Sequence, residues 1–191
     1  MEKYFAKFNG QPPKNAVSMT LIEENVVNLW FKLTIKLNVI MKIGDKIPEL
    51  LGLDQNGNEV KASDFAGRKL IIYFYPKDNT PGCTAEACSL ATGYGALKRA
   101  GFALLGVSKD SAASHQKFAD KYSLPFPLIA DVDTTLNQAF GVWREKKMAG
   151  RTYMGTVRTT FIIDEQGVVT HIIEKVNTKD SANQILETVN S

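Results

Sequence analysis

Cysteine and histidine are scarce in this chain of 191 residues, with two of each, and neither sign of charge dominates, the net being +3. Two cysteines are too few for a disulfide framework. Their five-residue step, Cys83 to Cys88, suits neither a zinc ribbon nor a haem attachment site. His115 and His171 have no second ligand at metal-binding spacing; His115 is expected on a helix surface and His171 along a strand, both without a chemical role. So small a net charge implies no nucleic-acid surface and no polyanionic partner. Long apolar runs are missing too. The best candidate, Val26 to Met41, is interrupted by Lys32 and Lys36 and falls short of the ~18 residues of a spanning helix. Glu2, Lys3 and Lys7 are scattered with no apolar core behind them, unlike a secretory signal. A reducing, cytoplasmic home is expected, with the cysteine pair catalytic or redox-sensing.

An apolar content of 44% supports one good-sized domain and little more. Residues 1–40 show no sustained helical or strand period and complete no motif. They are expected to be a poorly ordered N-terminal extension, or the product of an upstream start, with Met41 or Met19 opening the native chain. The domain proper is expected to occupy 41–191.

From Lys46 onward, apolar runs alternate with helical patterns. Leu50–Leu53 and Val60–Lys61 flank Asn56-Gly57, a hairpin signal. Ser63 is expected to cap a helical turn ending near Gly67. Leu70–Tyr75 and Phe102–Val107 read as buried strands. Ser111 to Tyr122 reads as a helix with Phe118 and Tyr122 inward. Leu128–Ala130 is a short strand and Asp133–Phe140 a short helix. Arg144 to Gly155 is expected to be a charged loop, in which Lys146, Lys147 and Arg151 are solvated rather than docking a partner. Strands Arg158–Ile163 and Val168–Glu174 follow. A last helix, about Lys179 to Val189, turns Ile185, Leu186 and Val189 inward, and Phe140 and Trp143 read as core. This alternation predicts an α/β domain with a central mixed β-sheet and helices on both faces.

One stretch, Tyr73 to Cys88, holds both cysteines. After the strand, Thr80 suits a helix N-cap and Pro81 the first helical position, where its missing N–H costs nothing. The helix is expected to run to Arg99, with Gly101 as its stop. Cys83 then lies in the first turn, where free N–H groups and the helix dipole favour an anion, and a thiol there ionises more easily than a free one. Positions five apart on a helix are rotated by about 140° and separated by roughly 8.7 Å between Cα atoms. A disulfide needs about 4.4–6.8 Å. If the two cysteines pair, at least one helical turn must unwind.

The run Pro76-x-x-x-Thr80-x-x-Cys83 resembles the active-site signature of the peroxiredoxins, and the step to Cys88 resembles their bacterioferritin-comigratory, or peroxiredoxin Q, branch. Further matching segments are Gly44-Asp45-x-x-Pro48, Ile129-Ala130-Asp131, Phe140-Gly141-Val142-Trp143 and Arg158-Thr159-Thr160-Phe161-Ile162-Ile163-Asp164. The resemblance implies a thioredoxin-like fold of the peroxiredoxin type. It implies a thiol peroxidase that reduces hydrogen peroxide and organic hydroperoxides. Thioredoxin, or sometimes glutaredoxin, would be the reductant, no cofactor would be needed, and the chain would be a monomer or weak dimer.

The same resemblance implies Cys83 as the peroxidatic nucleophile and Cys88 as the resolving thiol that forms a redox disulfide with it. Arg158 would stabilise the thiolate and hold the peroxide, since a guanidinium is permanently charged and presents donors in a fixed fork. The Thr80 hydroxyl would bond the peroxide as well as cap the helix, and Gly82 would lie against the substrate. Pro76 either shields the thiolate or simply ends the strand. Glu86 either orients Arg158 or, the reading favoured here, solvates the helix's first turns. A redox sensor and a thiol–disulfide oxidoreductase on the same fold are the alternatives; the latter would normally carry Cys-x-x-Cys, absent here.

Overall fold

The computed structural model describes residues 40–148 and 150–191. The expectation for residues 1–40 lies, save for Ile40, outside the described residues. The body over Val39–Ser191 is one compact unit.

Its centre is β3 (Lys69–Phe74), whose last five residues are all buried. β3 pairs in parallel with β4 (Phe102–Ser108), which pairs in parallel with β5 (Leu128–Ala130). On its other side β3 pairs antiparallel with β8 (Thr159–Ile163), and β8 with β9 (Val169–Ile173). The order β5-β4-β3-β8-β9 makes a mixed sheet, as the alternation of elements predicts.

Because side chains alternate along a strand, β3 supplies both faces. Leu70, Ile72 and Phe74 point to one core, where Phe74, Phe140 and Phe161 pack with ring centroids 4.9 to 5.7 Å apart. α3 (Thr135–Ala139) and the hairpin of β1 (Leu50–Leu53) and β2 (Glu59–Lys61) cover this side. Ile71, Tyr73 and Tyr75 point to the other core, beneath α1 (Pro81–Arg99), α2 (Ala112–Tyr122) and α4 (Ser181–Asn190). Phe118, Ile185, Leu186 and Val189 join that core as expected. Among the described residues, no helix is long and apolar enough to cross a membrane.

Local signals set most boundaries. Gly57 takes φ of 81° in the β1–β2 turn, while the Asp54 carboxylate accepts from the Asn56 and Asn58 amides, each at 2.8 Å. Ser111 caps α2 through Ser114 N. α1 runs from Pro81 to Arg99, and Gly101 follows with φ of 88°.

Four expectations need correction. Ser63 does not cap the turn at Ala62–Phe65; the turn starts from Lys61, whose amide donates to Asp64, and the Ser63 hydroxyl donates to Glu49 instead. Arg144 to Gly155 is not a loop but part of a hairpin of β6 (Trp143–Met148) and β7 (Arg151–Thr156), pivoting on Gly150 with φ of 77°. These two strands pair only with each other, so β7 stays largely exposed and carries no apolar alternation to read. Trp143 is only half-buried, with the Lys109 ammonium 5.9 Å from its ring centroid. His115 is not on a surface: it lies on the same side of α2 as Phe118 and both are fully buried.

Candidate active site

β3 delivers the chain to the carboxyl edge of the sheet, and the loop from Pro76 to Thr80 hands it to α1. Thr80 has the extended backbone of an N-cap, φ −85° and ψ 149°, and its carbonyl accepts the first helical bond from Thr84 N at 2.8 Å. The expected side-chain cap is absent. The Thr80 hydroxyl turns back and donates to the Lys77 carbonyl at 3.1 Å. With that cap absent, the Gly82 and Cys83 amides have no side-chain partner among the described residues and stand at the positive end of the dipole.

Cys83 sits there with 1% of its surface exposed and its thiol free. Arg158, at the entry to β8, aims Nη2 at Cys83 Sγ from 3.2 Å. The same guanidinium uses Nη1 to bind Glu86 Oε2. Burial works against the charge on Arg158, but Glu86 and Cys83 outweigh it and hold its pKa above the ordinary value. One cation therefore stands between two acidic side chains of the same helix, three positions apart and so on one face.

Glu86 does not solvate the helix. It is fully buried, and its second oxygen, Oε1, has no partner among the described residues. Burial raises its pKa to about 7, with Arg158 pulling the other way. Orienting Arg158 is thus the reading that the geometry favours. Its signal in the sequence was weak: an acid three residues beyond a cysteine on a face that also carries Ala87 and Leu90.

Cys83, Arg158 and Glu86 are in direct contact, and a side chain built on Gly82 would meet Arg158 Nη2 at 3.5 Å. Pro76 and Thr80 are half-buried on the loop leading to that turn. Cys88 is the outlier. It is half-buried and free, five residues along an unbroken helix.

One cluster beside the site was not anticipated. Asp78, in the same loop, is buried against Tyr75, Ser114 and His115. Burial works to raise its pKa, but hydrogen bonds from His115, Ser114 and Tyr75 prevail and hold it below the usual carboxylate value. The only hint in the sequence was that His115 precedes Phe118 by three positions, on the face that packs inward.

A buried thiol at a helix N-terminus, bonded by an arginine, is the arrangement of a thiol-dependent active site. Comparison with known proteins gives this class its family. Residues 43–172 match the AhpC/TSA family. The chain is 42% identical over 149 residues to peroxiredoxin Bcp of Bacillus subtilis, covering 78% of this chain and 95% of that protein. Against peroxiredoxin Bcp of Escherichia coli K12 it is 40% identical over 146 residues, covering 76% and 94%. Among solved structures, the bacterioferritin comigratory protein of Xanthomonas campestris, studied for alkyl peroxide reduction, superposes with a TM-score of 0.69. That match has 35% identity over 76% of this chain and 98% of the other. A cysteine-to-serine mutant of Xylella fastidiosa PrxQ gives a TM-score of 0.72 at 32% identity, covering 78% and 96%. The chain belongs to the AhpC/TSA family and, within it, to the peroxiredoxins of the Bcp or Q kind: a thioredoxin-like fold carrying a peroxidase that takes a peroxide as substrate and a thiol as reductant.

Proposed function

We propose that Cys83 is the peroxidatic nucleophile of this enzyme, Arg158 and Thr80 its peroxide-binding groups, and Cys88 its resolving thiol. The observation that carries the reading is the 3.2 Å contact from Arg158 Nη2 to Cys83 Sγ at the uncapped start of α1. The thiolate attacks one oxygen of hydrogen peroxide or an alkyl hydroperoxide in line, and the O–O bond breaks. The sulfur gains that oxygen as a sulfenic acid, and the other oxygen leaves as hydroxide or alkoxide, which takes a proton to become water or alcohol. Arg158 faces both the sulfur and the oxygens on which charge develops, so its guanidinium stabilises the transition state more than the bound peroxide. The Gly82 and Cys83 amides supply further donors at the same spot, and the Thr80 hydroxyl, its proton given to the Lys77 carbonyl, offers an acceptor for the peroxide O–H. Pro76, which has no N–H, keeps the loop side of the thiol dry.

Glu86 holds the guanidinium in place. Once sulfur is oxidised, Arg158 loses its anionic partner there and the first turns of α1 lose part of what binds them. The helix then unwinds locally, and the Cys88 thiolate attacks the sulfenic sulfur. A disulfide forms and the oxygen leaves as water. A dithiol protein, thioredoxin or else glutaredoxin, reopens the disulfide by thiol–disulfide exchange, giving up two electrons and leaving with a disulfide of its own. The domain from 41 to 191 carries all of these groups. Two free cysteines without a disulfide framework suit the cytoplasm, and a monomer or weak dimer suffices for an intramolecular cycle.

Replacing Cys83 by serine is expected to abolish thioredoxin-coupled peroxide consumption, and retained turnover would remove it as the nucleophile. In Cys88→Ser, a single oxidation of Cys83 should survive, with regeneration dependent on an added small thiol. Unchanged turnover with thioredoxin alone would remove Cys88 from the cycle.

A further inference from the structure

The loop that carries Pro76 and Thr80 has little of its own to hold it still. Lys77 is exposed, and Asn79 adopts φ of 57°, a left-handed conformation uncommon outside glycine. The loop is held from below, by Asp78. Its side chain, 2% exposed, accepts from Tyr75 Oη at 2.8 Å, Ser114 Oγ at 2.7 Å and His115 Nδ1 at 3.0 Å. Its amide donates to Asp110 Oδ2 at 2.9 Å, and Ser108 Oγ at the end of β4 donates to the same oxygen at 2.7 Å. Lys121, late in α2, reaches Asn79 Oδ1 at 3.5 Å.

His115 extends this anchorage across the molecule. Its ring is fully buried, and its second nitrogen, Nε2, faces the Ile129 carbonyl of β5 at 3.1 Å. A phenyl ring would fill the same space with no polar group to satisfy. What the ring adds, with a proton on each nitrogen, is a rigid bridge between two acceptors, one in the sheet and one in the active-site loop. Breaking one end of a buried polar network costs more than its single hydrogen bond, because the other groups lose their partners.

We propose that His115 and Asp78 are positioning residues for peroxide capture: the imidazole braces the Asp78 carboxylate against β5 and α2, and so sets the loop that places Thr80 and Pro76 beside Cys83. This rests on the assignment of Cys83 and Thr80 made under the proposed function. It also gives the unwinding segment a fixed upstream end, since Asp78 stays tied to α2 and β4 while the turns beyond Thr80 come apart.

The two ends of the bridge can be cut separately. His115→Asn keeps an amide nitrogen near the position of Nδ1, so it retains the bond to Asp78 and loses the one to Ile129. His115→Gln does the reverse. The second-order rate of Cys83 oxidation by hydrogen peroxide, followed by stopped flow on the full chain beside thermal melts, is expected to fall roughly tenfold or more in the Gln variant. It should stay within about threefold of wild type in the Asn variant, although both melt earlier; misplacement on the scale of 1 Å is enough for such a loss. Asp78→Asn, which keeps the shape but offers three donors a weaker acceptor, should match the Gln variant, and it decides the matter alone should neither His115 variant fold. Equal rates in the Asn and Gln variants, fast or slow, would overturn the proposal, as would a wild-type rate in Asp78→Asn. A Cys83 that resists oxidation in the wild-type protein would instead strike the assignment of the nucleophile.

Discussion

From Pro81 to Ala87, helix α1 is held by one guanidinium shared between Cys83 and Glu86; from Ser89 to Arg99 it is held by packing and a cap. In the second half Leu90 and Leu97 are fully buried. Ser89 Oγ accepts from the Ser181 and Ala182 amides at 2.9 and 3.5 Å, so α1 caps α4. Gly93 lets the two helices touch: a Cβ there would lie 2.2 Å from Ala182 Cβ. The first half has buried residues too, but Glu86 leaves a carboxylate oxygen without a partner in the described structure. One half of a continuous helix is therefore tied to chemistry that changes when sulfur is oxidised, and the other to contacts that do not. Cys88 stands at the seam, which suits a thiol that must move while the rest of its helix stays.

The largest effect that would sharpen this contrast comes from Arg158→Ala. It removes the shared cation and should slow Cys83 oxidation by about 10²–10³-fold, the usual cost of losing one preorganised donor. Stopped-flow oxidation by hydrogen peroxide measures it, and a rate within threefold of wild type would break the comparison at its first half.

The next concerns pH. The Glu86 carboxyl has a pKa of about 7 in the wound helix against an ordinary 4.5. The wound state thus holds the proton more tightly than the unwound one, so its stability falls as pH rises from about 4.5 through 7 and is level beyond. The difference corresponds to about 3 kcal/mol at ~1.4 kcal/mol per pH unit. Unfolding free energies from urea titrations of wild type and Glu86→Gln from pH 5 to 8 should diverge by up to that amount, wild type losing stability with rising pH relative to the variant. Parallel curves would mean that Glu86 ionises without penalty.

The smallest expected effect belongs to the fixed half. Gly93→Ala forces α1 and α4 apart and should cost about 1–3 kcal/mol in urea denaturation, as overpacking does. A neutral result would show that the second half is looser than its contacts imply.

Residues differ in how far their role could be seen beforehand. The bounds of α1 were legible because Thr80-Pro81 and Gly101 are local stop and start signals, and Cys83 because its position in the first turn follows from them. Arg158 was visible only through the family segment around it. Glu86 was misjudged: an acid in the first turns of a helix is ordinarily solvated, and only the packing of α1 on the sheet shows that this one faces inward. His115 was misplaced for the same reason. The β6–β7 hairpin escaped because its charged strands pair with each other, away from the central sheet and without the apolar alternation that marks a half-buried strand.

By itself, then, the order of residues determined most of the secondary elements, the α/β class and the thiol at the helix head, since turns, caps and apolar periods act over a few neighbours. Which polar side chains would be buried, and against whom, was decided only when α1, α2 and β8 came together. Burial and pairing at long range depend on distances between segments far apart in the chain, and those distances exist only in the folded sheet and its helices.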